Sequence, residues 1–386
     1  MNKSVINEIR EKLFILLGFT LPLSIAVTNI LIVVIALICI IEGAFHEKWN
    51  KIKSSKWMIS LLFLLVLYFL YYLILGTFTD TFWILKRASL LLILPILYIT
   101  TFSVNTIKKS TFAFLTSMFL SSVIAIAENL HLISLNPDWT WAAFLKYTDH
   151  NVFLAFSLII SFYSIFRIKL ISKYRNILLI FIPVYLFSLF TEGGKAGQLV
   201  FLFSTLYIIC FLFQKKVKIL LISIAGVFVF SVMVYNISDI VKNRFNKEWK
   251  NITQNRSSDR NILLKETITL IKQNPILGYG SGSFTDVFGK INEKTQKIVN
   301  SKHKTPHNNY LYVWIELGVL GFILLLSIFY FQIRELYKLK DGFVRVLFPF
   351  MYLIIMMVDS YFFSHNTLIL YLFLSIVIVN YQYKLS

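Results

Sequence analysis

The chain of 386 residues is 57% hydrophobic and 17% aromatic, and only 15% of its residues are charged. Soluble globular domains are nearer a quarter charged, so this composition excludes an ordinary soluble protein and indicates an integral membrane protein with many spans. A net charge of +19 would suggest nucleic acid as the partner of a soluble protein. Here the long apolar runs and the lack of any nucleic-acid-binding motif argue against that partner, and we expect most of the excess charge in cytoplasmic loops, with a remainder facing an anionic ligand.

The first apolar run, residues 13–41, is too long for one membrane span and short for two. Pro22 near its middle breaks the helical hydrogen-bond ladder, so we predict two short helices joined by a tight turn, with one tilted helix as the alternative. Counted as two, this run gives an all-α protein with about 12 transmembrane helices. The other predicted spans cover about 57–75, 83–102, 111–130, 151–166, 176–190, 196–213, 217–235, 308–331, 343–358 and 361–381.

Lysine and arginine concentrate in every second short loop of this arrangement. Because cytoplasmic loops of membrane proteins are enriched in these residues, we predict that these loops and both termini lie in the cytoplasm. The chain then divides into three predicted segments. About nine spans lie within 1–235, one large extracytoplasmic loop covers 236–305, and about three spans lie within 306–386. The loop is strongly basic, and we predict an amphipathic helix in it that ends before Pro275, with an apolar stripe formed by Leu264, Ile268 and Ile271.

Several charged and polar groups fall at the outer ends of these spans. Glu192 and Lys195 join two spans, Arg260 lies in the basic loop, and His307 begins the span that follows the loop. Cations without carboxylate pairs spaced for metal binding suit a diphosphate whose charge they stabilise directly. We therefore predict a diphosphate site formed by Lys195, Arg260, Arg87 and its neighbour Lys86, with no metal and no cofactor. The alternatives are that Lys195 anchors a helix at the membrane rim and that His307 is an ordinary interfacial histidine.

The span after the loop carries further polar groups. Asn308, Tyr312 and Glu316 recur at intervals of four residues, so they lie on one face of the helix, and Tyr310 belongs to the same stretch. At a rise of about 1.5 Å per residue, Glu316 lies roughly 13 Å below His307. A carboxylate at that depth needs a polar partner or water. Glu316 therefore either faces a cavity or makes a structural hydrogen bond, and the sequence favours neither alternative.

Three motifs and one arginine together resemble the O-antigen ligase family, which shares a domain with O-antigen polymerases. They are TEGGKAGQ at 191–198, Arg260, NPILGYGSGSF at 274–284 and PHNNYLYVWIELGVLG at 306–321. The resemblance implies a multi-span helical protein of the bacterial inner membrane, of the GT-C-like glycosyltransferase class, with a large periplasmic loop and a periplasmic active face. It also implies a metal-independent, inverting glycosyltransferase that uses undecaprenyl-diphosphate-linked glycans and lipid A-core as its substrates.

Residue by residue, His307 matches the family histidine at the start of the span after the loop, and Arg260 matches the loop arginine. Lys195 stands where many members have arginine, which keeps the charge but loses the bidentate fork. We expect the two cations to stabilise the leaving diphosphate and His307 to help remove the proton from the acceptor hydroxyl. An O-antigen polymerase using the same donor is the closest alternative function, and a lipid or solute transporter is a more distant one.

Overall fold

The computed structural model describes residues 3–135, 140–166, 174–214, 216–237, 242–243, 246, 259–300 and 303–380, and these are largely helical. Two-residue strands β1 (Trp141–Ala142) and β2 (Leu145–Lys146) pair antiparallel. A 3₁₀ turn, Leu90–Leu92, joins α5 to α6. The helices are α1 (Lys3–Thr20), α2 (Ile25–Ile41), α3 (Phe45–Ser54), α4 (Lys56–Leu75), α5 (Thr81–Ser89), α6 (Ile93–Ile99), α7 (Val104–Asn129), α8 (Tyr147–Phe166), α9 (Arg175–Thr191), α10 (Lys195–Phe213), α11 (Val217–Ile237), α12 (Asp259–Gln273), α13 (Phe284–Gly289), α14 (Glu293–Asn300), α15 (Asn309–Tyr337), α16 (Gly342–Arg345), α17 (Leu347–Val358) and α18 (His365–Asn380).

The protein is an all-α membrane protein, as predicted. In the described part of the chain, 4 helical stretches are long and apolar enough to cross a membrane, or 5 if the bent pair α2 and α3 counts as one span. The four are α4, the stretch Thr81–Ile99, α7 and α15. Helices α9, α10 and α18 are apolar but shorter. The number of twelve spans and the periplasmic position of the loop stay predictions, and much of the basic part of that loop lies outside the described residues.

The first apolar run folds as the two helices that Pro22 predicts. Helix α1 ends at Thr20, and Leu23 and Ser24 both donate backbone hydrogen bonds to the Thr20 carbonyl at 2.9 Å. The hydroxyl of Thr28 in α2 donates to the hydroxyl of Thr20 at 3.2 Å, which ties the two helices together beside the turn. The alternative of one tilted helix is wrong for this run.

Contacts divide the chain into two compact units, each built from two separate stretches. Unit 1 comprises Met1–Ile35 and Phe102–Gln254, and unit 2 comprises Ala36–Thr101 and Asn255–Ser386. The three segments read from the sequence describe order along the chain relative to a membrane, and they remain a prediction.

Close helix approach characterises unit 1, where α8 packs against both α9 and α10, and α7 against α1 and α9. Gly197 of α10 lies so near α8 that a Cβ placed there would come 2.0 Å from the backbone oxygen of Asn151. Small residues permit such contacts between membrane helices, where dispersion and hydrogen bonding replace the hydrophobic drive. The Tyr185 hydroxyl adds a cross-helix bond of 2.5 Å to the Leu115 carbonyl.

A break in α15 organises unit 2. Gly318 has a φ of 63°, which interrupts the helical hydrogen-bond ladder. The glycine-rich segment 274–284 repairs it, because the amides of Tyr279 and Gly280 donate to the carbonyls of Ile315 and Glu316, both at 2.9 Å. A Cβ at Gly318 would lie 2.0 Å from a backbone oxygen of that segment. The segment is therefore a shaped turn docked into the helix.

Helix α12 occupies the place that the sequence predicts for the amphipathic helix, but its buried face differs. Ile268, in the middle of the predicted apolar stripe, is 42% exposed. The buried residues of the helix are Leu263, Thr267, Leu270 and Ile271. The predicted stripe is thus displaced by about one residue, because α12 packs on α15 and the neighbouring helix selects the buried side.

Candidate active site

His307 lies one residue before the cap of α15 and has an unusual backbone conformation. Its φ is 53°, in the left-handed region that non-glycine residues seldom adopt. Asn308 is the N-cap, since its side-chain oxygen accepts the Leu311 amide at 3.1 Å. The Asn308 amide also donates to the Met357 carbonyl at the end of α17, at 3.3 Å. These contacts hold the histidine ring over the end of α17 instead of continuing the helix through it.

Both ring nitrogens of His307 have partners. Nδ1 lies 2.9 Å from Oδ1 of Asp359, and Nε2 lies 3.0 Å from Nδ1 of His303. The same Asp359 oxygen accepts the Ser360 amide at 2.6 Å, which fixes the carboxylate. A carboxylate facing Nδ1 favours the tautomer with hydrogen on Nδ1, and this leaves a lone pair on Nε2 that accepts from His303. The result is a hydrogen-bonded series from His303 through His307 to Asp359.

Arg260 reaches the same end of α17. Its guanidinium donates to the Val358 carbonyl at 2.5 Å, one residue before Asp359. Arg260 and His307 therefore contact two consecutive residues, Val358 and Asp359, and their sharing of a functional site stays a prediction. The side chains of His307 and Asp359 are 32% and 34% exposed, so this cluster is open to a ligand.

A second polar group fixes the loop before His307. Lys304 pairs with the Asp80 carboxylate at 2.7 Å, and Thr285 donates to the other oxygen of Asp80 at 2.8 Å. The Lys304 ammonium also lies 5.8 Å from the centre of the Trp83 ring, and the guanidinium of Arg87 lies 5.7 Å from the centre of that ring. Trp83 thus brings Arg87, a predicted diphosphate residue, to the loop that carries the histidines.

Lys86 and Arg87 occupy the last turn of α5. Lys86 is exposed and Arg87 is half-buried. Both cations act electrostatically on His365, the first residue of α18. They therefore place positive charge near the start of α18, and Arg87 shares the Trp83 ring with Lys304 of the histidine loop.

The predicted polar face of α15 is present, and most of it is buried. The Tyr310 hydroxyl is tied to the Leu353 carbonyl at 2.8 Å. Tyr312 and Glu316 are fully buried. The Glu316 carboxylate lies beside the Tyr312 hydroxyl and the backbone amide of Gly282 in the glycine-rich segment. Neither Glu316 carboxylate oxygen has a hydrogen-bond partner among the described residues, and both alternatives for Glu316 stay predictions.

Glu192 and its partners form a compact group within unit 1. The Glu192 carboxylate lies 2.7 Å from Nδ1 of His150 and accepts the Ser188 hydroxyl at 2.5 Å. The side chains of His150 and Glu192 are 0% and 3% exposed. This buried group holds the end of α9, immediately before the glycine pair of the TEGGKAGQ motif.

Lys195 is exposed at the first residue of α10. The turn before it is fixed by Asn151, whose amide donates to the Gly194 carbonyl at 3.0 Å. A Cβ at Gly194 would lie 2.4 Å from the Asn151 side chain, so only glycine fits this turn. Lys195 belongs to unit 1, whereas Arg260, His307, Lys86 and Arg87 belong to unit 2.

Sequence reasoning missed four residues that the structure places beside His307 or its loop: His303, Lys304, Asp80 and Asp359. His303 could have been found from the sequence, since two histidines four residues apart in HKTPH suggest a joint role. Asp359 could not, because it is separated from His307 by 52 residues and only the fold joins them. Within the described residues, no group of three or more His, Cys, Asp or Glu side chains is placed to hold a metal ion.

Residues 177–326 match the model of the family described as O-antigen ligase. That stretch of the chain is similar to an O-antigen ligase domain. The matched range contains TEGGKAGQ, Arg260, the glycine-rich segment and His307, so it confirms the resemblance inferred from the motifs. The match supports an O-antigen ligase or polymerase, a membrane glycosyltransferase-like enzyme, without separating the two. No curated protein matches the sequence.

Proposed function

We propose that the protein is an O-antigen ligase, which transfers a glycan from undecaprenyl diphosphate to a sugar hydroxyl of lipid A-core at the periplasmic face of the bacterial inner membrane. The observation that supports this best is the partly exposed His307–Asp359 pair with Arg260 bound to the adjacent residue. A glycosyl transfer of this kind needs a group that takes the acceptor proton and cations that stabilise the leaving diphosphate. This cluster contains both.

Asp359 gives His307 a defined role. A carboxylate on Nδ1 holds the ring in one tautomer and stabilises the imidazolium that forms when the ring receives a proton. His307 thereby becomes the acceptor for the proton that leaves the attacking hydroxyl. Attack from the side opposite the diphosphate inverts the configuration at the anomeric carbon.

The cations have the complementary role. Arg260 offers a planar donor group suited to phosphate oxygens, and one of its terminal nitrogens is already positioned by Val358. Arg87 and Lys86 add positive charge from α5. Lys195, in the TEGGKAGQ motif of unit 1, stays a predicted diphosphate residue. Direct charge stabilisation of the leaving group by side chains is the reason that the proposal includes no metal and no cofactor.

The remaining predicted residues support this site. Asn308 caps α15 and positions His307, and Tyr310 fastens α15 to α17. The Tyr312 and Glu316 side chains are buried in α15, and the backbone carbonyl of Glu316 accepts the Gly280 amide of the glycine-rich segment. Glu192, with His150, fixes the turn that presents Lys195.

Deletion of the gene and analysis of the lipopolysaccharide by gel tests the function. A ligase deletion leaves polymer on its lipid carrier and core without O-antigen. A deletion that leaves core with a single repeat shows a polymerase instead and contradicts the ligase proposal.

A second test uses purified protein in detergent with a lipid-diphosphate-linked glycan and lipid A-core. Transfer of glycan under these conditions is expected, and it excludes transport as the only activity because no compartments exist. Absence of any transfer by folded wild-type protein contradicts a transferase.

A further inference from the structure

The proposed role of His307 meets a geometric obstacle, because neither ring nitrogen is free. Nδ1 is engaged by Asp359 at 2.9 Å and Nε2 by His303 at 3.0 Å. A sugar hydroxyl therefore has no open nitrogen of His307 to approach in this arrangement. The series ends at Nε2 of His303, on the far side of that ring from the nitrogen bonded to His307, and the His303 side chain is partly exposed.

We propose that His303 takes the proton of the acceptor hydroxyl and relays a proton to His307, so that the general base of the reaction is a pair of imidazoles. This inference rests on the glycosyl transfer proposed above. In this proposal His303 contacts the attacking hydroxyl directly, and His307 carries the positive charge after the proton transfer.

The relay balances as follows. The acceptor oxygen forms a bond to the anomeric carbon, while the bond from that carbon to the diphosphate oxygen breaks and its electron pair leaves with the diphosphate. The hydroxyl proton moves to Nε2 of His303. The proton on Nδ1 of His303 moves to Nε2 of His307, which becomes an imidazolium paired with Asp359. No oxidant, reductant or metal is needed.

Electrostatics suit this direction of transfer. Burial and then repulsion from His307 lower the pKa of His303, while Asp259 and Asp359 oppose the shift. His303 is therefore neutral at neutral pH and able to accept a proton. Asp359 lies 2.9 Å from His307, so a proton that reaches Nε2 of His307 forms an imidazolium beside a carboxylate.

The loop between the two histidines is held in place by its own contacts. Lys304, adjacent to His303, pairs with the buried Asp80 at 2.7 Å. His307 is fixed at the other end by its left-handed backbone and by the Asn308 cap. Anchors at both ends keep the two rings in contact, which a relay requires.

The experiment compares His303→Ala and His303→Gln with wild type in the detergent transfer assay. Glutamine can still donate a hydrogen bond to Nε2 of His307, but it cannot accept and release a proton at neutral pH. The relay predicts that both variants lose transfer rate by a factor on the order of 10², with unchanged KM for the lipid-linked donor. Added imidazole is expected to restore part of the rate of His303→Ala. His46→Gln, an exposed histidine of α3, is the matched control and is expected to behave as wild type.

Wild-type rate in His303→Gln overturns the relay and leaves His303 only a positioning role. Loss of rate in His303→Ala that imidazole does not restore, together with rescue by glutamine, leads to the same conclusion. Thermal unfolding of each variant separates loss of fold from loss of chemistry. If wild-type protein transfers glycan and His303→Gln does too, this inference fails alone; if wild type transfers none, the proposed function fails first.

Discussion

The two units of the protein each contain a histidine that is followed by asparagine and paired with a carboxylate. In unit 1, His150 and Glu192 are 2.7 Å apart and their side chains are 0% and 3% exposed. In unit 2, His307 and Asp359 are 2.9 Å apart, and their side chains are 32% and 34% exposed. The two pairs have similar geometry, but only the second is open to a substrate.

The surroundings of the two pairs extend this contrast. His150 lies in regular helix α8, and its Nε2 is buried without a hydrogen-bond partner. His307 has a strained backbone, and its Nε2 continues into a second histidine. Strain of this kind persists only where the surrounding structure enforces it, and it concentrates at functional sites. The two pairs therefore differ in exposure and in the groups around them, and for this reason only the His307–Asp359 pair is proposed for chemistry.

The largest expected effect is a difference in glycan transfer between variants of His307 and His150. His307→Ala should lower glycan transfer by a factor on the order of 10²–10⁴, the usual contribution of a general base, with the fold retained. In the same assay His150→Ala should lose less than tenfold per folded molecule, because His150 reaches no substrate. Transfer rates in detergent, normalised to folded protein, measure both. Equal losses in the two variants would remove the distinction between the pairs.

Arg260→Ala should have the second-largest effect, a loss on the order of 10²–10³ in the maximal transfer rate. The reason is that it removes a hydrogen-bond donor from the charge that develops on the leaving diphosphate. Arg260→Lys should fall between this variant and wild type, since the charge remains and the fork is lost. Arg334→Ala, an exposed arginine at the end of α15, serves as the control. Unchanged rate and unchanged donor binding in Arg260→Ala would take this residue out of the diphosphate site.

The buried His150–Glu192 pair should contribute more to the stability of the fold than the His307–Asp359 pair does. Glu192→Gln leaves the partners of a buried acceptor poorly matched, and we expect it to lower the free energy of unfolding by about 1–3 kcal/mol. Asp359→Asn should change stability less, because that pair is one-third exposed. Thermal unfolding in detergent compares the two, with exposed Glu47→Gln as the control. A larger stability loss in Asp359→Asn would reverse the assignment of structural and chemical roles.

The smallest expected effect is the pH dependence of transfer. The pKa of His303 is lowered by burial and by His307, so its neutral form persists below the ordinary histidine value of about 6.5. Activity should therefore be flat near neutral pH and fall only as the pH drops through that lowered pKa, where protonated His303 can no longer accept a proton. His303→Gln should remove this acidic limb. An acidic limb that is unchanged in His303→Gln would assign it to another group.

The sequence by itself determined the class of protein, most helix positions and the resemblance to a family whose model matches residues 177–326. Spanning helices need long apolar runs, so composition and run length reveal them without tertiary information. Pro22 located the first turn because the missing N–H acts locally. The motifs also led to the prediction that His307 and Arg260 belong to one site, and both side chains lie at the end of α17.

Only the tertiary structure decided how these elements are used. Periodicity predicted an apolar stripe on α12, but packing against α15 buried Leu263 and left Ile268 exposed, because a helix pattern does not say which neighbour covers it. Asp359 lies 52 residues from His307 in the chain, and only folding brings its carboxylate to the histidine ring. Partners that meet through folding leave no spacing in the sequence, and for that reason the hydrogen-bonded series from His303 to Asp359 became visible only in three dimensions.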